Sequence, residues 1–245
     1  MSGITCKKCG KIYEPKVHLA DMSFCDPPYN VNYESSQEEL GSIESDNMPP
    51  ESFKEFVTSA FASLWINLKA GAPVYICSGW QSFTPFKEAL EENNFHLSEV
   101  IIWVKNQAGK ATLDFPHIHE EIIKAKKMTI AKKKKAKAIF YGWKKGANHK
   151  YYGDHDDYDV WETDRLYPGQ YVHPTEKPDW LVMKALKNST KYKDKIIDIF
   201  AGGGSALMAA EKMGRQCFAM EINERFCDAI IYKWEKLTKK RAKKL

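Results

Sequence analysis

Nowhere in these 245 residues does an uninterrupted apolar run approach the roughly 18–20 residues that a membrane-crossing helix needs. The N-terminus shows no charged leader followed by an apolar segment, so no secretory signal is visible and a cytoplasmic protein without a membrane partner is expected. The six cysteines are irregularly placed. Cys25, Cys77, Cys217 and Cys227 fall in apolar contexts that suit reduced core residues. Cys6 and Cys9 are spaced as half of a zinc knuckle, but no second pair follows, and His18 and Cys25 could complete a ligand set only by distorting the strand that carries Cys25. No metal is therefore assigned. There is no internal repeat.

What is present is an ordinary globular composition, with 43% hydrophobic and 13% aromatic residues, long enough for one sizeable domain. The net charge of +5 is unevenly spread: Lys and Arg concentrate in 124–137, around 144–150 and in the last seven residues. Such asymmetry is compatible with a polyanionic partner, because neutralising phosphates releases counterions; a solvated surface with a basic tail is the plainer alternative.

Apolar runs alternate with helical periodicity. Strands are expected over 19–25, 74–77, 98–105, 195–200 and 216–221, and helices over 51–68, 83–93, 179–186, 206–213 and 223–240, which together predict an α/β, doubly wound, mainly parallel sheet. From 106 to 170 the rhythm fails. The stretch holds His117, His119, Glu120, the Lys run and a Tyr- and Asp-rich segment up to Trp161, and is too long for a plain connection. It reads as an inserted recognition lobe. The predicted organisation is 1–105, 106–170 and 171–245, with the first and last forming one domain.

Two segments carry chemistry. Asp26-Pro27-Pro28-Tyr29 ends the first strong strand. The prolines donate no hydrogen bonds and hold the backbone in a stiff bend, with a carboxylate at one end and a phenol ring at the other. A flat heterocycle with an exocyclic amine fits this corner: its ring against Tyr29, its two N–H groups on Asp26 and the Pro27 carbonyl. The second segment is Asp198-Ile199-Phe200-Ala201-Gly202-Gly203-Gly204-Ser205, a strand end running through a glycine turn into a helix. Glu221 follows at the end of the next strand, about 20 residues on, where an acid can accept hydrogen bonds from ribose hydroxyls. The loop lacks the Gly-Lys-Ser or Gly-Lys-Thr ending of a triphosphate site and the Gly-x-Gly-x-x-Gly spacing of a dinucleotide site. Asp198 suits a ligand's cationic end better than a pyrophosphate, which favours S-adenosylmethionine. Between the two segments, His173-Pro174-Thr175-Glu176-Lys177-Pro178 opens a helix; Thr175 can cap it with Pro178 in the first turn, and Thr175 and Lys177 can also grip a ligand carboxylate.

Taken in order, Asp-Pro-Pro-Tyr, a variable lobe, His-Pro-Thr-Glu-Lys-Pro and Asp-Ile-Phe-Ala-Gly-Gly-Gly-Ser resemble the β-class of amino-methylating DNA methyltransferases over residues 19 to 235. The resemblance implies a methyltransferase half with catalytic residues Asp26, Pro27, Pro28 and Tyr29, a target-recognition lobe, and a cofactor half. It implies S-adenosylmethionine as cofactor, bound by Asp26, His173, Thr175, Lys177, Asp198, Phe200, Ala201, Gly202, Gly204, Ser205 and Glu221. DNA is the implied partner, inside a prokaryotic or phage cell, with a homodimer and a companion endonuclease left open. Asp at the first catalytic position is usual for adenine N6. No covalent intermediate is needed, so Cys25 is expected to be a strand residue and not a nucleophile, and the base must be flipped out of the duplex to reach the site. Two departures stand out. Relatives begin with a strand ending in Gly-Asp that reaches the cofactor's adenine, whereas this chain begins Ile4-Thr5-Cys6-Lys7-Lys8-Cys9-Gly10; and the Lys-rich 124–137 segment is inserted before Phe140. A catalytically silent cofactor- or DNA-binding module, and a methyltransferase of cytosine N4, RNA or a free base, are the alternatives.

Overall fold

The computed structural model describes residues 4–5, 12–13, 19–32, 46–105, 135–154, 157–163 and 176–244. Among the described residues, Ile4–Thr5 (β1) and Ile12–Tyr13 (β2) pair only with each other, antiparallel. The remaining strands among the described residues are Met22–Cys25 (β3), Pro73–Ser78 (β4), Phe95–Lys105 (β5), Lys135–Lys144 (β6), Val160–Thr163 (β7), Lys195–Asp198 (β8) and Gln216–Ala219 (β9). They form one seven-stranded sheet in the order β7-β5-β6-β4-β3-β8-β9. Every neighbouring pair is parallel except the two that involve β6, which therefore runs against the other six.

Among the described residues, five helices cover the sheet. Their periodicity decides which face each one takes. Pro50–Asn67 (α1) buries Phe53, Val57, Phe61 and Leu64, and Trp80–Glu92 (α2) buries Phe86, Ala89 and Leu90. Both pack on the face that carries Val74, Ile76 and Cys25. Asp179–Ser189 (α3) and Ser205–Lys212 (α4) cover the opposite face, where Met22, Phe24, Tyr75 and Cys77 point. Alternate residues of β3 and β4 thus feed two separate cores, as a strand buried on both sides requires. Glu224–Thr238 (α5) lies outside α4, with Ile230 against Ala201 and Met208.

Three expectations need correction. Residues 106–170 do not all stand apart from the sheet: β6 and β7 are strands of it, β6 pairing along its whole length with β5 and over Ala138–Trp143 with β4. The alternation that marks a half-exposed strand is missing from Ala138-Ile139-Phe140-Tyr141-Gly142-Trp143 because both faces are covered. Lys135–Lys137, the end of the Lys run, open β6; the rest of that run, with His117, His119 and Glu120, lies outside the described residues. Second, the third helix begins at Asp179 with Pro178 in the cap position and no side-chain cap. Thr175 stands three positions before that cap in the sequence and lies outside the described residues, and Pro178 stands before the first turn instead of inside it. Helix α2 starts at Trp80, before the expected Phe83, with Pro85 inside it.

Candidate active site

The chain leaves β3 through α1 to reach β4 on one side; β8 and β9 lie on the other. This reversal of direction opens a crevice at the carboxyl ends of β3 and β8, the place where open α/β sheets bind ligands. Parallel pairing of Met22 with Ile196 and Ser23 with Ile197 brings the two chemical segments there together. Phe24, Asp26, Lys177, Asp198, Phe200, Ala201, Gly202, Gly203, Ser205 and Ala206 line one pocket.

On the proline side, the Tyr29 hydroxyl donates to Asp26 Oδ1 at 2.6 Å, and the Lys177 ammonium pairs with Asp26 Oδ2. Burial, with Asp26 next, holds the Tyr29 phenol well above its usual range, so it stays a donor. Its ring lies edge-on to Phe86 and close over Gly79, where an added Cβ would come within 3.1 Å. Cys25 faces the core. Burial and the neighbouring Asp198 push its thiol up, which makes it a poor nucleophile, as expected for a strand residue.

On the glycine side, Gly202 (φ 50°) and Gly204 (φ 80°) adopt left-handed conformations that residues with a Cβ rarely take, and this sharp turn delivers the chain into α4. Asp198 is buried and accepts from the Phe200 N–H at 3.0 Å. Burial raises its pKa to about 7, with the negative charges of Asp26 and Glu221 adding to the rise. A buried carboxyl held this way, beside a turn stripped of side chains, is suited to a cationic ligand. The residues therefore fit S-adenosylmethionine, which carries a positive sulfonium. Phe200 stands on α1 through Phe56, and the Ser205 hydroxyl donates to the Lys177 carbonyl at 2.7 Å.

Glu221 sits just past β9 but outside the pocket lining. Its Oε2 accepts from Gly202 N–H at 2.6 Å and its Oε1 from Asn223 N–H at 2.9 Å, so it anchors the glycine turn. Lys177, which can also grip a ligand carboxylate, pairs here with Asp26. His173 and Thr175 lie outside the described residues, as do Cys6 and Cys9. Sequence reading missed a clamp: Lys233 of α5 pairs with Glu176 and donates to the Gly203 carbonyl at 3.0 Å. A Cβ on Gly203 would fall 2.7 Å from the Glu176 carboxyl carbon, so a larger residue there would push the Glu176 side chain out of this clamp. In a helix that runs on into the Lys- and Arg-rich last residues, nothing local distinguishes Lys233.

Residues 20–233 match the model of the N6/N4 DNA methylase family. The chain belongs to that family. This DNA methylase is 28% identical over 226 residues to the Type II methyltransferase M2.DpnII of Streptococcus pneumoniae, covering 86% of this chain and 81% of that one. Among solved structures, it resembles the M1.HpyAVI–SAM complex (TM-score 0.60, 18% identity, 89% of this chain and 88% of that one). It also resembles the cytosine-N4-specific PvuII DNA methyltransferase (TM-score 0.63, 15% identity, 91% and 86%). Both likenesses show the shared fold. The protein is an S-adenosylmethionine-dependent methyltransferase acting on DNA.

Proposed function

We propose that this methylase modifies the exocyclic N6 amine of an adenine flipped out of duplex DNA, with Asp26, Pro27, Pro28 and Tyr29 as the catalytic corner. The observation that carries the reading is the shared pocket: Asp26 and the Asp198–Ser205 turn line the same crevice. S-adenosylmethionine supplies an electrophilic methyl group on its sulfonium. The protein's task is then to make the amine a better nucleophile and to hold it in line. An amine conjugated with a purine ring donates its lone pair poorly. Asp26 and the Pro27 carbonyl each accept one N–H, which draws the nitrogen toward tetrahedral geometry and frees the lone pair. Tyr29 gives the base an aromatic wall, while its hydroxyl steadies Asp26. On the cofactor side Asp198, Phe200, Ala201, Gly202, Gly204 and Ser205 form the cradle, Glu221 supports it and can reach the ribose, and His173 and Thr175 are assigned to the same side.

Labelled-methyl transfer to mixed-sequence duplex DNA, followed by nucleoside digestion, tests this. N6-methyladenine is the expected product, and Asp26→Ala should lower turnover by at least about a hundredfold, the scale on which lost orientation acts, while DNA binding persists. N4-methylcytosine as the product, preference for RNA, or near-normal turnover of the variant would each overturn the reading. Salt-sensitive DNA binding by Lys132–Lys135 of the Lys-rich run, a homodimer and a companion endonuclease belong to the same proposal.

A further inference from the structure

Lys177 is 3% exposed, an unusual place for a lysine, and its ammonium is spent on the catalytic carboxylate. It is held there from several directions. The Ser205 hydroxyl, at the first turn of α4, fixes the Lys177 carbonyl at 2.7 Å. The preceding residue, Glu176, is clamped to α5 by Lys233. The ammonium itself also lies 6.0 Å from the centroid of the Tyr29 ring. Lys177 thus touches both the proline corner and the first turn after the glycines, from a segment that belongs to neither.

We propose that Lys177 is a positioning residue for methyl transfer, setting the orientation of Asp26 from the cofactor side of the pocket. The inference rests on the function proposed above. With Tyr29 on Oδ1 and Lys177 on Oδ2, the carboxylate has little freedom to rotate. Each carboxylate oxygen has two lone pairs, so a carboxylate can accept an amine N–H while both of its oxygens stay engaged. The backbone link through Ser205 makes this orientation depend on the turn that receives the methyl donor. A cofactor contact would make Lys177 matter for affinity. A positioning role makes it matter for turnover.

Lys177→Met and Lys177→Arg, compared with wild type in steady-state transfer and in calorimetry with S-adenosylmethionine, separate these roles. Lys177→Met is expected to lower kcat by roughly 30- to 100-fold, since small misplacements of a reacting group cost that much. Its S-adenosylmethionine affinity should stay within about threefold. Lys177→Arg, which keeps a cation able to pair with Asp26, is expected to recover at least about a third of the lost log kcat. A loss confined to cofactor affinity would overturn the inference by assigning Lys177 to the donor's carboxylate. Equal kcat loss in both variants would overturn it too, as would a Lys177→Met protein with wild-type kcat. A wild-type protein that transfers no methyl group would instead bring down the functional reading, and this inference with it.

Discussion

Asp198 is the residue whose chemistry most depends on its surroundings. Its side chain is nearly sealed off, and its pKa rises to about 7 from an ordinary 3.8. Because the folded value is raised, the native state keeps a proton that the unfolded chain has already lost, and stability from this group declines as pH climbs from about 4 to about 7. A cationic ligand reverses the preference by favouring the ionised form. S-adenosylmethionine affinity should therefore weaken as pH falls below about 7, by up to about tenfold per pH unit, and Asp198→Asn should flatten that dependence; calorimetry between pH 5.5 and 8 checks it. Glu221 makes a different point. Its spacing from the glycines was readable and predicts an acid facing a ribose, yet its carboxylate also holds Gly202 and Asn223 N–H groups. Charge-assisted bonds of this kind contribute about 1.5–3 kcal/mol. Glu221→Ala should cost both cofactor affinity, about tenfold or more on that scale, and thermal stability, with Glu221→Gln intermediate. Lower affinity at unchanged Tm would restrict Glu221 to the ribose.

Elements were legible wherever one periodicity ruled. The Phe53, Val57, Phe61, Leu64 stripe of α1 and the buried run of β4 appear at their expected places. Strand β6 escaped because Phe140, Tyr141 and Trp143 lie beside a glycine and a lysine run, a pattern that suits a lobe equally well. Its position comes from pairing with β4 and β5, partners about 60 and 40 residues away in the chain. Gly142 belongs to this element-level fit: β5 and β6 shift register near Leu97, and a Cβ on Gly142 would lie 2.2 Å from the His96 carbonyl oxygen. That overlap is with backbone, which cannot rotate away. Gly142→Ala should destabilise the protein by about 1–3 kcal/mol, the usual cost of overpacking, seen as a lower urea midpoint at unchanged slope. A neutral effect would mean that the two strands can separate locally without cost.

For the whole molecule, the net charge of +5 says little beyond compatibility with a polyanion. Where the lysines sit decides more. If Lys132–Lys135 meet phosphates, replacing all four with alanine should reduce the salt-dependence slope of DNA binding by about 0.9 for each phosphate no longer neutralised; an unchanged slope in a filter-binding titration would assign them to solvent. Residue order alone set the chemistry on offer: a proline-stiffened carboxylate corner, a glycine turn without a phosphate-binding lysine, an acid about 20 residues beyond it, and the α/β alternation between them. Those properties are local, set by backbone restriction, side-chain type and spacing. Which pieces meet was settled by packing in three dimensions. Pairing of β3 with β8 set Asp26 beside Asp198 across more than 170 residues, and burial then raised the pKa of Asp198. The same packing brought Lys177, from a third stretch of chain, against the Asp26 carboxylate. Such assignments depend on distance in space and on desolvation, neither of which a linear pattern encodes.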